Sequence, residues 1–152
     1  DVFILKKPRC IFCSAKSNVT GYELPYKEIF ELGKKYKSTN ILDGSQSFGV
    51  DKNITAENVD FIVFAGHKSL YSSFGIAGFI DCNSTNLKKF LFGGTGSDSL
   101  NMNMPDELPI KYEAGSKNAV AISNSTGKMY LGNLLFILSI NLSINGFMCV
   151  IK

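Results

Sequence analysis

The sequence predicts an α/β fold, a mostly parallel sheet with flanking helices, on two observations. Apolar runs of strand length alternate with segments of helical spacing, in the order strand, helix, strand, short helix, strand. One of those runs, Phe61-Ile62-Val63-Phe64, places four large apolar residues in a row, the signature of a strand covered on both faces. The chain has 152 residues, enough for one domain with a real core.

The first apolar run, residues 10–15, follows Lys7-Pro8-Arg9 and reads as a short buried strand leading into the turn-type cluster 17–21. Pro25 stands where a helix would begin. Ile29, Phe30, Leu32, Gly33 and Tyr36 follow at roughly helical spacing, and Lys34, Lys35 and Lys37 suit the negative end of the helix dipole. Ile41-Leu42-Asp43 is a strand ending in a carboxylate, followed by the loop 44–49. Residues 56–59 read as a short connecting helix capped at Thr55, before the strand 60–66. After His67-Lys68 comes a glycine-flanked strand, residues 75–80, ending at Asp81. Residues 93–115 have glycine, proline and methionine without a period, and read as a long functional loop or interface arm.

Composition excludes several classes. At 45% hydrophobic and 19% charged, the chain is no disordered polar tail. Four cysteines are too few for a disulfide scaffold. A net charge of +3 spread along the chain does not argue for nucleic acid. The chain starts at Asp1, which reads as a piece of something longer. Residues 129–151 carry no charged side chain and as a helix would span about 34 Å, enough for a bilayer core of about 30 Å. Asn133, Ser139, Asn141, Ser143 and Asn145 would need partners in lipid, and aromatic belts are missing, so a buried or out-of-place hydrophobic tail is the preferred reading over a membrane span.

In an open parallel sheet, ligands sit beyond the carboxyl ends of the strands. Three polar clusters fall there: Ser17-Asn18, Asp43 with Gln46, and His67-Lys68. A lysine straight after a buried strand is costly to desolvate, and burial frees such an amine to form a Schiff base. An aspartate at the neighbouring strand end could hold a proton on a heteroaromatic nitrogen. Pyridoxal phosphate requires that pairing. An ordinary Asp43–Lys68 ion pair at the sheet rim, with His67 solvated, explains the spacing equally well.

Five segments occur in one order: Ser17-Asn18-Val19-Thr20-Gly21, Leu42-Asp43-Gly44-Ser45-Gln46-Ser47-Phe48-Gly49, Phe64-Ala65-Gly66-His67-Lys68, Gly93-Gly94-Thr95-Gly96-Ser97, and Tyr112-Glu113-Ala114-Gly115-Ser116-Lys117-Asn118. Together they resemble the middle of the class V aminotransferases, closest to the cysteine desulfurase branch, over roughly residues 5–124. The resemblance implies part of the large domain of a fold-type-I enzyme dependent on pyridoxal 5'-phosphate. It implies that Lys68 forms the Schiff base with the cofactor aldehyde and moves the substrate α-proton. Asp43 would pair with the pyridine nitrogen and Gln46 with the phenolic oxygen. Asn18 would reach that oxygen or the substrate carboxylate, and His67 would lie by the phosphate. Thr95 would reach the phosphate in the neighbouring subunit of a homodimer. The implied activity is removal of sulfur from cysteine, leaving alanine, with a sulfur-acceptor protein as possible partner and a cytoplasmic setting. Transamination of a small amino acid, or a non-catalytic remnant of the fold, are the alternatives. No metal, nucleic acid or membrane is implied.

Departures from the family pattern are specific. Ala65 stands where a serine or threonine is usual, and Ala15 or Lys16 where a histidine is common. The upstream part that supplies a ring-stacking aromatic is absent, and Arg9, the single arginine, is misplaced for a substrate carboxylate. The persulfide-forming cysteine has no counterpart, since Cys149 lies in the uncharged tail. Cys10 and Cys13, three residues apart on a strand, point to opposite faces, and with Cys82 they read as apolar cysteines rather than a metal or redox pair. The resemblance lapses after about Asn124. The chain therefore divides into residues 1–124, the cofactor-binding fragment, and 125–152, a hydrophobic tail expected to pack poorly, as a frame change or truncated reading would.

Overall fold

The structure, a computed structural model, describes residues 2–85, 87–95, 101, 103–108, 110–116 and 147–148. Its elements are α1 (Val2–Lys6), β1 (Cys10–Ser14), α2 (Tyr26–Lys35), β2 (Thr39–Asp43), β3 (Phe61–Ala65), β4 (Ala77–Asp81), a 3₁₀ turn (Ile110–Tyr112) and β5 (Phe147–Met148). The sheet order is β1-β2-β3-β4-β5. β1, β2 and β3 run parallel, with Cys13 opposite Leu42 and Leu42 opposite Ile62. β4 returns antiparallel to β3, and β5 pairs antiparallel with β4. The three parallel strands therefore present their carboxyl ends on one side.

α2 forms where Pro25 opens it and buries Tyr26, Phe30 and Gly33, a stripe at i, i+4 and i+7. Leu32 stays exposed, and Lys37 lies past the helix end in the left-handed region at φ 59°. Gly33 is required by close approach: a Cβ there would collide with Asn40 Oδ1 and come within 2.8 Å of Ile11 Cδ1. Asn40, fully buried on β2, donates from Nδ2 to the Phe30 carbonyl at 2.8 Å and to the Asn58 carbonyl at 2.7 Å. Its backbone N–H donates to Asp60 Oδ2 at 2.8 Å. One side chain thus ties α2, β2 and the following loop together.

The core lies on the face that α2 covers, where Phe30, Leu42, Ile62 and Ile80 meet Phe48 and Val59. On β3, Ile62 and Phe64 are buried, whereas Phe61, Val63 and Ala65 are half-buried. The continuous apolar run thus has one filled face and one partly covered face. Phe12 of β1, whose strand partner on that second face is Ile41, is 63% exposed.

The expected helix over residues 56–59 is not present. Asn58 takes a left-handed φ of 58°, which ends any right-handed helix, and the segment is a turn closed by Val59 N–H to the Ala56 carbonyl at 3.1 Å. Ile54 and Val59 are both buried, and their five-residue spacing does not fit one helix face. In the long loop, the described residues are anchored rather than free. Tyr112 is buried against Phe79 and Phe90 and donates its hydroxyl to the Leu87 carbonyl at 2.7 Å. Lys89 pairs with Asp106 at 2.8 Å. The expectation of a poorly packed tail over residues 125–152 lies outside the described residues, apart from the two of β5.

Candidate functional site

The carboxyl ends of β1, β2 and β3 feed three turns that stand side by side. Asp43 ends β2, half-buried and in register with Ser14 at the end of β1. The Ser14 hydroxyl donates to Asp43 Oδ2 at 3.1 Å, and the Ser45 N–H donates to Oδ1 at 2.9 Å. Burial pushes the Asp43 carboxyl up. The hydrogen bonds from the Ser45 side chain and backbone, that from Ser14, and the positive charge of Lys68 outweigh it and hold the group below the ordinary carboxylate range. Asp43 is an anion at neutral pH.

Gln46, in the turn after β2, donates from Nε2 to Asn18 Oδ1 at 2.7 Å. That bond brings together two side chains 28 positions apart in sequence. The turn after β3 is fixed to the turn after β2 by Ser69, whose hydroxyl donates to the Phe48 carbonyl at 2.7 Å. Leu70 fills the space beside Gly49, which sits at φ 93° and has no room for a Cβ. The Gly66 N–H closes onto the Ile76 carbonyl at 2.9 Å. These contacts place Lys68 where its charge reaches Asp43.

Lys68 is not buried. The sequence-based expectation that burial would free its amine is corrected: β3 ends at Ala65, and the turn over residues 66–70 lifts His67 and Lys68 into solvent. His67 stacks its ring on Phe74 with centroids 4.8 Å apart. Thr95 is half-buried in the segment 93–95, beside the Gly94 carbonyl that accepts from Gly115 N–H at 2.7 Å. That backbone bond ties it to the loop carrying Tyr112. Gly96, Ser97, Lys117 and Asn118 lie outside the described residues.

Ser14 and Ser69 contribute to the site without having been singled out from the sequence. Ser14 lies near the end of an apolar run, and only the β1–β2 register reveals that it stands opposite Asp43. Ser69 reads as an ordinary turn residue until its partner 21 positions away is known. Among the described residues, no group of histidine, cysteine and acidic side chains could hold a metal ion. No helix among them is long and apolar enough to cross a membrane. Cys10, Cys13 and Cys82 are free thiols, with Cys10 exposed and Cys13 buried.

The family model described as "Aminotransferase class-V" matches residues 2–130. A probable cysteine desulfurase of Mycoplasma genitalium is 33% identical over 122 residues, covering 75% of this chain and 30% of that protein. The probable cysteine desulfurase 1 of Mycobacterium leprae is 28% identical over 117 residues, covering 74% of this chain and 19% of that protein. The chain thus spans less than a third of the length of either relative. The crystal structure of the Escherichia coli cysteine desulfurase CsdA superposes with a TM-score of 0.64 at 24% identity, over 82% of this chain and 33% of that one. That likeness concerns the fold.

Proposed function

The chain belongs to the aminotransferase class-V family, and from that membership we propose that it forms the cofactor-holding centre of a pyridoxal-phosphate enzyme that takes sulfur from cysteine and leaves alanine. The observation that carries the reading is the Asp43 carboxylate, held ionised by two serines within the field of the Lys68 amine. An anion, an amine and two amides at one sheet end are the donor set that the cofactor's ring nitrogen, aldehyde and phenolic oxygen require, so the residues fit the group. When bound, the cofactor supplies an electron sink for the negative charge that develops at the substrate α-carbon.

In this reading Asp43 keeps a proton on the ring nitrogen, and the low intrinsic basicity enforced by its hydrogen bonds keeps Asp43 itself the anion of that pair. The Lys68 Nζ would hold the cofactor through its aldehyde and, once the substrate amine has taken its place there, would be free to move the proton at the substrate α-carbon. Its exposure leaves the amine accessible to an incoming cofactor. Gln46 and Asn18, joined to each other, would hold the phenolic oxygen with their remaining amide groups, with the substrate carboxylate as the second target of Asn18. His67 borders the phosphate, and Thr95 serves the phosphate of the neighbouring subunit in a homodimer. A separate protein receives the sulfur. A cytoplasmic setting belongs to the same reading. In this reading residues 1–124 supply the centre, and of the segment beyond them Phe147–Met148 joins the same sheet as β5.

The test is product analysis of the protein supplied with pyridoxal phosphate and cysteine. With a dithiol reductant present to take up the sulfur as sulfide, alanine and sulfide are expected, and both are lost in Lys68→Ala. A keto acid in place of alanine would support transamination instead. No turnover, despite bound cofactor, would favour the non-catalytic remnant for which Ala65 speaks.

A further inference from the structure

We propose that Ser14 is a positioning residue, whose hydroxyl, together with the Ser45 backbone, fixes the orientation of the Asp43 carboxylate at the mouth of the sheet. The two residues stand opposite each other in the β1–β2 register, and the Ala15 N–H to Asp43 carbonyl bond at 2.9 Å continues the ladder beyond them. Ser14 holds Oδ2 at 3.1 Å and Ser45 N–H holds Oδ1 at 2.9 Å, so each oxygen has its own donor from a different element. Without Ser14, every hydrogen bond to the carboxylate would come from Ser45, on the one turn after β2. The Ser14 hydroxyl adds a donor from a second element on the other oxygen, and that fixes the plane about its last torsion. Each oxygen offers about two acceptor sites, so the pair of bonds leaves capacity for a ligand N–H.

The residue type supports the assignment. A serine is a poor strand former at the end of an apolar run, and a half-buried hydroxyl costs free energy without a partner. Here it has one, and that partner is charged. Lys68 is the cation whose field reaches the same carboxylate, but it sits on a solvated turn and imposes no direction. The functional meaning of the inference rests on reading Asp43 as the partner of the ring nitrogen. The coupling between Ser14 and Asp43 can be measured without any cofactor.

Ser14→Thr and Ser14→Val test it, because the two side chains have the same shape, suit a strand equally and differ by the hydroxyl. The Asp43 carboxyl carbon is followed by NMR against pH in the full chain, assigned by its disappearance in Asp43→Asn. The threonine variant should titrate with the wild type, and the valine variant at higher pH. In pyridoxal phosphate titrations the valine variant should need roughly 3–10-fold more cofactor for half-saturation, the size expected from one lost hydrogen bond to a charged group at a half-exposed site. Identical midpoints for the threonine and valine variants would overturn the proposal. Failure of the wild type to take cofactor would refute the functional reading, while the two midpoints still decide the role of Ser14.

Discussion

Replacing Asn40 by alanine should weaken the fold enough to disturb the site three residues further along β2. The wild-type side chain is fully buried and donates to two backbone carbonyls, those of Phe30 at 2.8 Å and Asn58 at 2.7 Å. Two such bonds contribute about 1 kcal/mol each, and stranding buried carbonyls adds a desolvation cost, giving a loss of about 2–4 kcal/mol. With a urea dependence of about 2 kcal/mol per molar for a chain of this size, the unfolding midpoint should fall by roughly 1–2 M. Asn40→Asp sharpens the test at constant volume, since it sets a carboxylate against the same two carbonyls and near Asp60. Burial and those oxygens raise the pKa of the new carboxyl in the folded state. Its penalty therefore grows as pH rises above about 4 and is relieved as pH falls. A drop of less than about 0.5 M in the alanine variant, or a penalty in the aspartate variant that ignores pH, would refute the role assigned to Asn40.

Three further outcomes follow from particular contacts. Gly33→Ala should destabilise by about 1–3 kcal/mol, although alanine is the better helix former by about 1 kcal/mol, because the new methyl meets Asn40 and Ile11; thermal melts check it. Asp43, whose folded carboxyl sits below the ordinary range, contributes stability that is complete above its unfolded value of about 4 and is lost as pH falls through the folded one. Urea midpoints between about pH 2 and 4 should therefore fall more steeply in the wild type than in Asp43→Asn. Burial first, then the charges of Asp81 and Asp60, push the Cys82 thiol up to about 12. At about pH 8, peptide mapping after maleimide labelling should find exposed Cys10 modified at least about tenfold faster than Cys82.

The elements that the sequence revealed share one property: their local pattern and their tertiary environment agree. Phe61 to Phe64 are β-formers in a row, and they form β3. Pro25 opens a helix that packs Tyr26, Phe30 and Gly33 on one face, although Leu32 stays exposed. Residues 56–59 failed because Ile54 and Val59 were drawn into the core from a turn, and a left-handed Asn58 leaves no trace in hydrophobic spacing. In the site, the order of polar clusters at strand ends was legible, since topology alone carries Asn18, Asp43, Gln46 and Lys68 to one side. Exposure of Lys68 was not, because the sequence does not say how far a turn rises after its strand ends. The Ser14–Asp43 and Ser69–Phe48 bonds were hidden for a related reason: each depends on register or on two turns meeting, not on either segment by itself.

The most direct test of the cofactor reading is covalent. The full chain is mixed with pyridoxal phosphate, reduced with borohydride, digested, and the modified lysine mapped by mass spectrometry. Label should concentrate on Lys68, be absent in Lys68→Ala and be diminished in Asp43→Asn. Label distributed over the exposed lysines of α2 and the amino-terminal segment, with Lys68 no more modified than they are, would contradict the cofactor reading.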